Sequence, residues 1–397
     1  MRIAQLANFI GPASGGMRTA VRALGEGYVA AGSSRLLVVP GPSDEWTSTP
    51  HGDVVQLRAP RIGGGYRLIV EPWRVIDVLE QWQPTSVELS DKLTLLPVTR
   101  WARRSGVGSV LFSHERLSDM FALRTGFDTT SKVSIGLLNR LLVRSFDTIV
   151  VTSRYAEAEF THAATAAGCP LVRVPLGVDL DTFRPRVEEG PKVDSDVLRL
   201  IHFGRLSKEK SPHLAVATAV ELHEQGVPVR LDVYGEGPYL EELVCLAGTA
   251  PVHFHGFVDD RAELAALVAA SDIALSVCPS ETFGLAVLEA LAAGTPVVTS
   301  DRGGARELVN AASGAWARPN RVALAGAVLD LARRPESERR QAARAQAERF
   351  QWATTVESML AVHEQVTCWR EITDAVQAAC YTDHRPTPEP SGVRLGR

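Results

Sequence analysis

The chain has 397 residues, 45% of them hydrophobic and 22% charged, with a net charge of −4. That length is too great for one compact domain and suits two of roughly 180 residues, and the composition is that of a folded protein. Five scattered cysteines with no CxxC pair exclude a disulfide framework and a cysteine zinc site, and no run of 18 apolar residues offers a membrane span.

The first strand is expected from Arg2, which leaves no room for a secretory signal, so the expected location is the cytoplasm. Residues 1–185 hold 20 Lys+Arg against 17 Asp+Glu, and the remainder 22 against 29. The front is thus +3 and the back −7. A mildly basic front half could face an anionic surface or substrate, and sampling explains so small an imbalance as readily.

In chain order, residues 2–7 (RIAQLA) read as a buried strand and 16–31 as a helix. Between them, GPASGG (11–16) resembles a phosphate-binding glycine turn but is neither GxGxxG nor a Walker loop, and a loop-and-cap reading fits equally. Strand-like runs recur at 36–39, 54–57, 86–89, 110–113 and 148–152, with helical patterns at 68–82, 93–104 and 133–144. Such alternation predicts an α/β fold with a parallel sheet covered on both faces. A break follows at Pro175, Leu176 and Gly177, and the polar stretch 184–196 reads as a linker. The alternation restarts with strands at 198–203, 229–234, 252–255, 273–276 and 296–299 and a helix at 213–225. Two doubly wound units imply a cleft facing the carboxyl ends of two sheets. The organisation expected is an N-terminal unit at 1–185, a second at 186–350, a helix at 351–380 and a disordered, proline-rich tail at 381–397.

The most specific pattern is ETFGLAVLE (281–289), placed after a strand and opening a helix. A helix start offers free N–H groups and a positive dipole end to a phosphate, and Gly284 leaves the approach open. Glu281 lies in the loop, and Glu289 could bond a ribose. Taken singly, Glu281 reads as a helix-start charge and Glu289 as a solvated face. A second pattern, FGRLSKEKSP (203–212), follows the first strand of the second unit. Arg205 and Lys210 could converge on a departing diphosphate and stabilise its growing charge. Lys208 and Lys210 as plain surface lysines are the alternative. His114 ends the strand 110–113, where a cleft residue belongs, though a lone histidine is more often structural than catalytic. GEGP (235–238) is a tight turn or a loop edging a nucleotide, and HGFV (255–258) could offer backbone contacts to a base. Two acidic pairs, Asp179/Asp181 and Asp194/Asp196, fit a metal-binding DxD but read as a cap and a linker, so no metal is expected. The helix at 91–104 carries Arg100, Arg103 and Arg104 beside Trp101. It could lie on an anionic lipid surface or simply face the core with a charged outer side.

These segments, with VPLGVDLDTF (174–183), together resemble the retaining GT-B glycosyltransferases over nearly all of residues 1–365. SDKLTL (90–95), SHERL (113–117) and GGYR (64–67) resemble the actinobacterial GDP-mannose-dependent α-mannosyltransferases of phosphatidylinositol mannoside synthesis. The resemblance implies two Rossmann-like domains, acceptor first and donor second, with the last helix crossing back to the first. It implies that Arg205 and Lys210 bind the donor diphosphate and that Glu281 contacts the sugar, with Thr282, Phe283, Gly284 and Leu285 beside it. Glu289 would bind the ribose. Gly15, Gly16, Gly204, Gly235 and Val258 would complete the donor site, and His114 would lie against the sugar. Tyr66, Arg67, Arg100, Arg103, Arg104, Arg116 and Arg154 are the acceptor or membrane candidates. The implied reaction is a metal-free, cofactor-free hexosyl transfer with retention, GDP-mannose to a glycolipid or glycan hydroxyl, with peripheral contact at an anionic membrane and no nucleic-acid partner. A UDP-sugar transferase acting on a small molecule, a nucleotide-sugar 2-epimerase and a non-catalytic nucleotide-sugar sensor are the alternatives.

Overall fold

Strands in this chain are apolar on both faces. In β1 (Arg2–Leu6), Ile3, Ala4 and Leu6 are all buried, which requires cover on both sides of the sheet. The computed structural model describes residues 1–8, 10, 15–63, 66–114, 128–186 and 197–382.

β1 is followed by β2 (Ser34–Gly41), β3 (Glu45–Thr49), β4 (Gly52–Arg58), a small hairpin of β5 (Arg61–Gly63) and β6 (Tyr66–Arg67), then β7 (Ser86–Leu89), β8 (Gly108–Ser113), β9 (Thr148–Val151) and β10 (Leu171–Arg173). All but the hairpin form one sheet, ordered β10-β9-β8-β7-β1-β2-β4-β3. Its pairings are parallel except β3 on β4. The helices of this lobe are α1 (Gly15–Ala30), α2 (Pro72–Trp82), α3 (Leu96–Arg104), α4 (Asp128–Ser145) and α5 (Arg154–Ala167).

The second lobe has β11 (Leu198–Phe203), β12 (Val229–Tyr234), β13 (Val252–Gly256), β14 (Ile273–Ser276), β15 (Val297–Ser300) and β16 (Gly314–Ala317), all parallel. Its order, β13-β12-β11-β14-β15-β16, reverses direction between β11 and β14, and a doubly wound sheet opens its binding crevice at that reversal. Its helices are α6 (Pro212–Glu224), α7 (Leu240–Ala247), α8 (Arg261–Ala270), α9 (Leu285–Ala292), α10 (Arg321–Ala332) and α11 (Glu336–Ala347). The chain then crosses back beside its own outgoing segment, Val178 N donating to Phe350 O at 2.9 Å, and enters α12 (Trp352–Thr382). α12 packs on α1 and β8 of the first lobe. A Cβ at Gly27 of α1 would meet Val356 at 2.3 Å, and one at Gly108 of β8 would meet Val366 at 2.6 Å, so glycine sets how closely this helix docks.

Two expected helix starts move, each for a local reason. The pattern at 68–82 becomes helical only at Pro72, because Asn8 holds Ile69 extended, accepting from its N–H at 2.7 Å and donating to its carbonyl at 3.0 Å. The pattern at 93–104 becomes helical at Leu96, because Asp91 accepts from the N–H groups of Leu93 (2.5 Å) and Thr94 (2.9 Å) in a turn. At the far end, helix continues through Tyr381 and Thr382, where the disordered tail was expected to begin, and 383–397 lie outside the described residues. Of the expected linker, residues 187–196 also lie outside them.

One apolar core fills the α2–α3 side of the first sheet and another the α6–α10 side of the second. A third runs through both lobes, from Leu24, Phe112 and Met359 to Phe183, Leu264 and Val287. A polar knot sits beside it. Glu88, 1% exposed, accepts from Gln5 Nε2 (3.0 Å) and Tyr28 Oη (2.7 Å) and pairs with His363 Nε2 (3.2 Å), whose Nδ1 meets Ser86 Oγ at 2.9 Å. Burial alone would raise the Glu88 pKa. The bonds and charge of His363, then those of Tyr28 and Gln5, outweigh it and hold the carboxyl below its usual 4.5. A depressed carboxyl stabilises the fold fully above its unfolded pKa, and that stability drains away as pH falls through the lower folded value. Glu88→Ala should therefore cost about 3 kcal/mol by urea unfolding at pH 7, with the gap to the parent narrowing below about pH 4.5. A cost that stays under about 1 kcal/mol would show that α12 docks without the knot.

Candidate functional site

Chemistry-bearing loops leave the adjacent strands β11 and β14, at the reversal of the second sheet. After β11 the backbone turns at Gly204 and runs through Arg205 into a single 3-10 turn, Lys208–Lys210. After β14 it passes Cys278 and Glu281 and opens α9, whose N-cap is Gly284 at φ +103°, a conformation that a side chain would strain. The two loops meet through Lys210, whose Nζ lies 2.8 and 3.1 Å from the two Glu281 oxygens. Lys210 keeps 40% of its side chain accessible and Glu281 16%. Burial would lower the Lys210 pKa, but the charge and hydrogen bond of Glu281 outweigh it and hold the ammonium above its ordinary value. Arg205 pairs with Glu209 at 3.3 Å, and Ser207 Oγ donates to the same Glu209 oxygen at 2.6 Å. Lys208 diverges and sits exposed over the Tyr239 ring at 5.3 Å, so of the two lysines weighed as surface charges only this one is.

A neighbouring turn braces this loop. Leu206 N donates to Glu236 O at 2.9 Å, and Gly235, at φ +137°, comes so near that a Cβ would fall 1.9 Å from the Gly204 carbonyl oxygen. The GEGP turn thus fixes the course of the Arg205 loop. Val258 lies beyond β13, half-buried. On α9, Glu289 is 7% exposed and takes Arg261 Nη2 on Oε1 at 2.6 Å. The reading of Glu289 as a solvated face is thereby corrected, because one turn of helix carries it inward from the open N-terminus. Arg261 lacked any motif and escaped sequence reasoning. It also stacks over Phe183, 4.7 Å from the ring centroid.

The first lobe brings a second helix start to the same place. A Cβ on Gly16, in the first turn of α1, would stand 3.3 Å from Leu285 Cδ1 in the first turn of α9, so two positive helix ends converge across the cleft. Gly15 is exposed beside it, and 11–14 lie outside the described residues. His114 follows β8 and packs on Phe112, ring centroids 4.2 Å apart. Its Nε2 is buried with no hydrogen-bond partner among the described residues, and burial first, then the charge of Lys92, push its pKa down to about 4 against the opposing field of Glu88. The lobes also touch directly. Ser153 Oγ donates to Thr282 O at 2.6 Å, and both Glu307 oxygens accept N–H groups at the start of α5, from Arg154 at 3.0 Å and Tyr155 at 2.8 Å.

Other expected residues sit elsewhere. On α3, Val98, Thr99 and Ala102 are buried while Arg100, Arg103 and Arg104 face out, and Arg103 donates to Arg144 O at 2.9 Å. Tyr66 and Arg67 lie in the hairpin, Arg67 bonded to Ala59 O at 2.5 Å. Arg116 lies outside the described residues. Asp179 accepts from the N–H groups of Asp181 (3.1 Å) and Thr182 (2.9 Å) and from the Thr182 hydroxyl (2.6 Å), which makes it a turn cap. Asp194 and Asp196 lie outside the described residues.

The sequence pattern described as Glycosyl transferases group 1 matches residues 184–349, and that of the Glycosyl transferase 4-like domain matches 15–177. The chain belongs to the group 1 glycosyltransferases. Over 369 residues, 91% of the chain and 95% of the relative, this transferase is 42% identical to a GDP-mannose-dependent alpha-(1-6)-phosphatidylinositol dimannoside mannosyltransferase of Mycobacterium tuberculosis. It is 27% identical over 389 residues, 92% and 97% of the two chains, to a phosphatidyl-myo-inositol mannosyltransferase of Mycobacterium leprae. Its fold matches that of sucrose-phosphate synthase from Thermosynechococcus elongatus with a TM-score of 0.75 at 21% identity, covering 93% of this chain and 99% of the other. The paired sheets of the glycosyltransferase are thus the GT-B arrangement.

His114 should show an imidazole titration midpoint near pH 4 by NMR and stay neutral across the physiological range. A midpoint near 6.5 would mean that the ring is open to water.

Proposed function

We propose that this glycosyltransferase moves mannose from GDP-mannose to a hydroxyl of a phosphoinositol-type glycolipid, with retention and without a metal. The observation that carries the reading is the Lys210–Glu281 bridge at the reversal of the second sheet, facing two helix N-termini. The choice of donor and acceptor rests on the name of the 42% identical relative.

In this reading Lys210, Arg205 and the starts of α1 and α9 surround the donor diphosphate. As the bond from the anomeric carbon to phosphate oxygen breaks, charge grows on that oxygen, and fixed cations and N–H dipoles stabilise it more than they stabilise the intact donor. The acceptor oxygen bonds to the anomeric carbon on the face the phosphate leaves, and its proton passes to the departing phosphate oxygen. No protein base is then required. Glu281, held by two bonds from Lys210, orients the sugar through its hydroxyls, so it and Glu289 are not the carboxylate pair of a glycosidase. Glu289 binds the ribose hydroxyls while Arg261 fixes its carboxylate. His114, its Nε2 buried, sits at the carboxyl end of β8 and positions the sugar as a neutral ring. Gly204, Gly235 and Val258 line the nucleotide, and no cofactor takes part.

An amphiphilic acceptor suits the rim of the first lobe. Asn8 ties Ile69 to Asp91, its Nδ2 lying 2.7 Å from Asp91 Oδ2, at the carboxyl end of β1. Val70, Trp73 and Leu93, within four residues of those groups in sequence, stand 48%, 57% and 52% exposed. Tyr66 and Arg67 lie in the hairpin just before them. The outward arginines of α3 provide peripheral attraction to an anionic membrane.

Lys210→Ala should lower kcat by about 10²–10³. Its melting temperature should move by less than about 4 °C, the shift that roughly 1 kcal/mol produces in a domain of this size. Unchanged turnover removes Lys210 from the mechanism. Among GDP-mannose, UDP-glucose and UDP-N-acetylglucosamine, GDP-mannose should raise the melting temperature most, and Glu289→Ala should weaken its binding roughly tenfold by calorimetry. Stronger protection by a UDP-sugar overturns the donor assignment.

A further inference from the structure

The turn that carries Glu281 has a reverse side. Glu281 reaches Lys210, whereas Phe283 and Gly304 face a cavity of about 620 Å³ between the lobes. Gly304 N donates to the Glu281 carbonyl at 2.6 Å, so a single turn of backbone separates this cavity from the donor site.

Four arginines and one glutamate line it. Arg154 and Arg173 come from the first lobe, Arg306 and Glu307 from the second, and Arg349 from the turn between α11 and α12. Their existing partners leave most of the positive charge unanswered. Arg173 pairs with Glu157 at 3.5 Å. Arg306 donates to Val309 O at 2.9 Å and stacks 3.3 Å from the Trp316 centroid, and Arg349 donates to the Gln346 side-chain oxygen at 3.3 Å. Both oxygens of Glu307 are committed to the N–H groups that open α5. Among the described residues, Arg154, Arg306 and Arg349 form no ion pair with a carboxylate.

Like charges gathered round one cavity repel, and without a counter-ion they work against closing the lobes. Guanidinium forks match phosphate oxygens in pairs, and several such forks on different elements make a site rather than a diffuse patch. We propose that this cavity binds a phosphate-bearing anion, separate from the donor diphosphate. Because its arginines come from both lobes and from the turn where the chain crosses back, the bound anion clamps the lobes in their paired arrangement. A free phosphate and the phosphodiester of a lipid headgroup share the chemistry required. The inference does not depend on which nucleotide sugar is the donor.

The test is calorimetric titration with inorganic phosphate at constant ionic strength, using the Lys210→Ala protein so that the donor site lacks that cation. Saturable binding is expected. Replacing both Arg154 and Arg349 with Gln should weaken it at least roughly tenfold. Arg154→Gln alone should weaken it measurably, and since Arg154 is exposed with no ion pair among the described residues, that variant does not endanger the fold. A parallel titration with glycerophosphoinositol separates the sources. Tighter binding than phosphate assigns the cavity to a lipid headgroup, equal binding assigns it to free phosphate, and either supports the site. Non-saturating heats, or an affinity that the paired Gln variant leaves unchanged, overturn the proposal.

Discussion

Lys210 and Glu281 stand 71 residues apart in sequence, on loops that leave neighbouring strands, and their ion pair is the constraint on which the candidate site is built. It ties the Arg205 loop to the N-terminus of α9, so that side-chain cations and backbone N–H groups face one volume. Neither loop is regular enough to hold its own course. The first leans on the GEGP turn through the close approach of Gly235 to Gly204, and the second is fixed by the Gly284 cap and the bond from Gly304 to Glu281. A half-buried ion pair contributes modest stability by itself. Its value lies in presetting a charged surface before a substrate arrives, so that little reorganisation remains when charge develops.

Contacts between lobes extend the same logic. Ser153 on Thr282, and Glu307 on the start of α5, join the back of the α9 loop to the first lobe. Gly16 approaching Leu285 brings the starts of α1 and α9 together. These bonds involve loops and helix ends, and they sit beside the apolar core that runs through both lobes.

Much of this was legible in the sequence because the signals are local. Unbroken apolar runs followed by helical periodicity marked both sheets, and the site loops follow strands of the second. The glycines at 204, 235 and 284 stand where the backbone needs a positive φ. What escaped was set by contacts distant in sequence. β3 (EWTST) is mostly exposed and has no apolar run, so nothing marked its antiparallel return. The helix starts at Pro72 and Leu96 depend on Asn8 and Asp91. Arg261 reaches Glu289 only after 28 residues of chain, and Glu307 finds α5 across 152 and 153. An ion pair of that span leaves no periodic trace.

The buried knot joins Glu88 to His363 across 275 residues, and Gly27 and Gly108 are shaped to receive the helix that carries His363. On the ribosome, the first lobe is therefore made long before the element that completes its interior. A nascent chain ending short of α12 leaves Glu88 and Ser86 without their imidazole partner and the apolar seat of Met359 and Val366 bare. The interior of the amino-terminal half is thus completed only by the last stretch of the chain to be translated, and until then a surface meant for packing faces water.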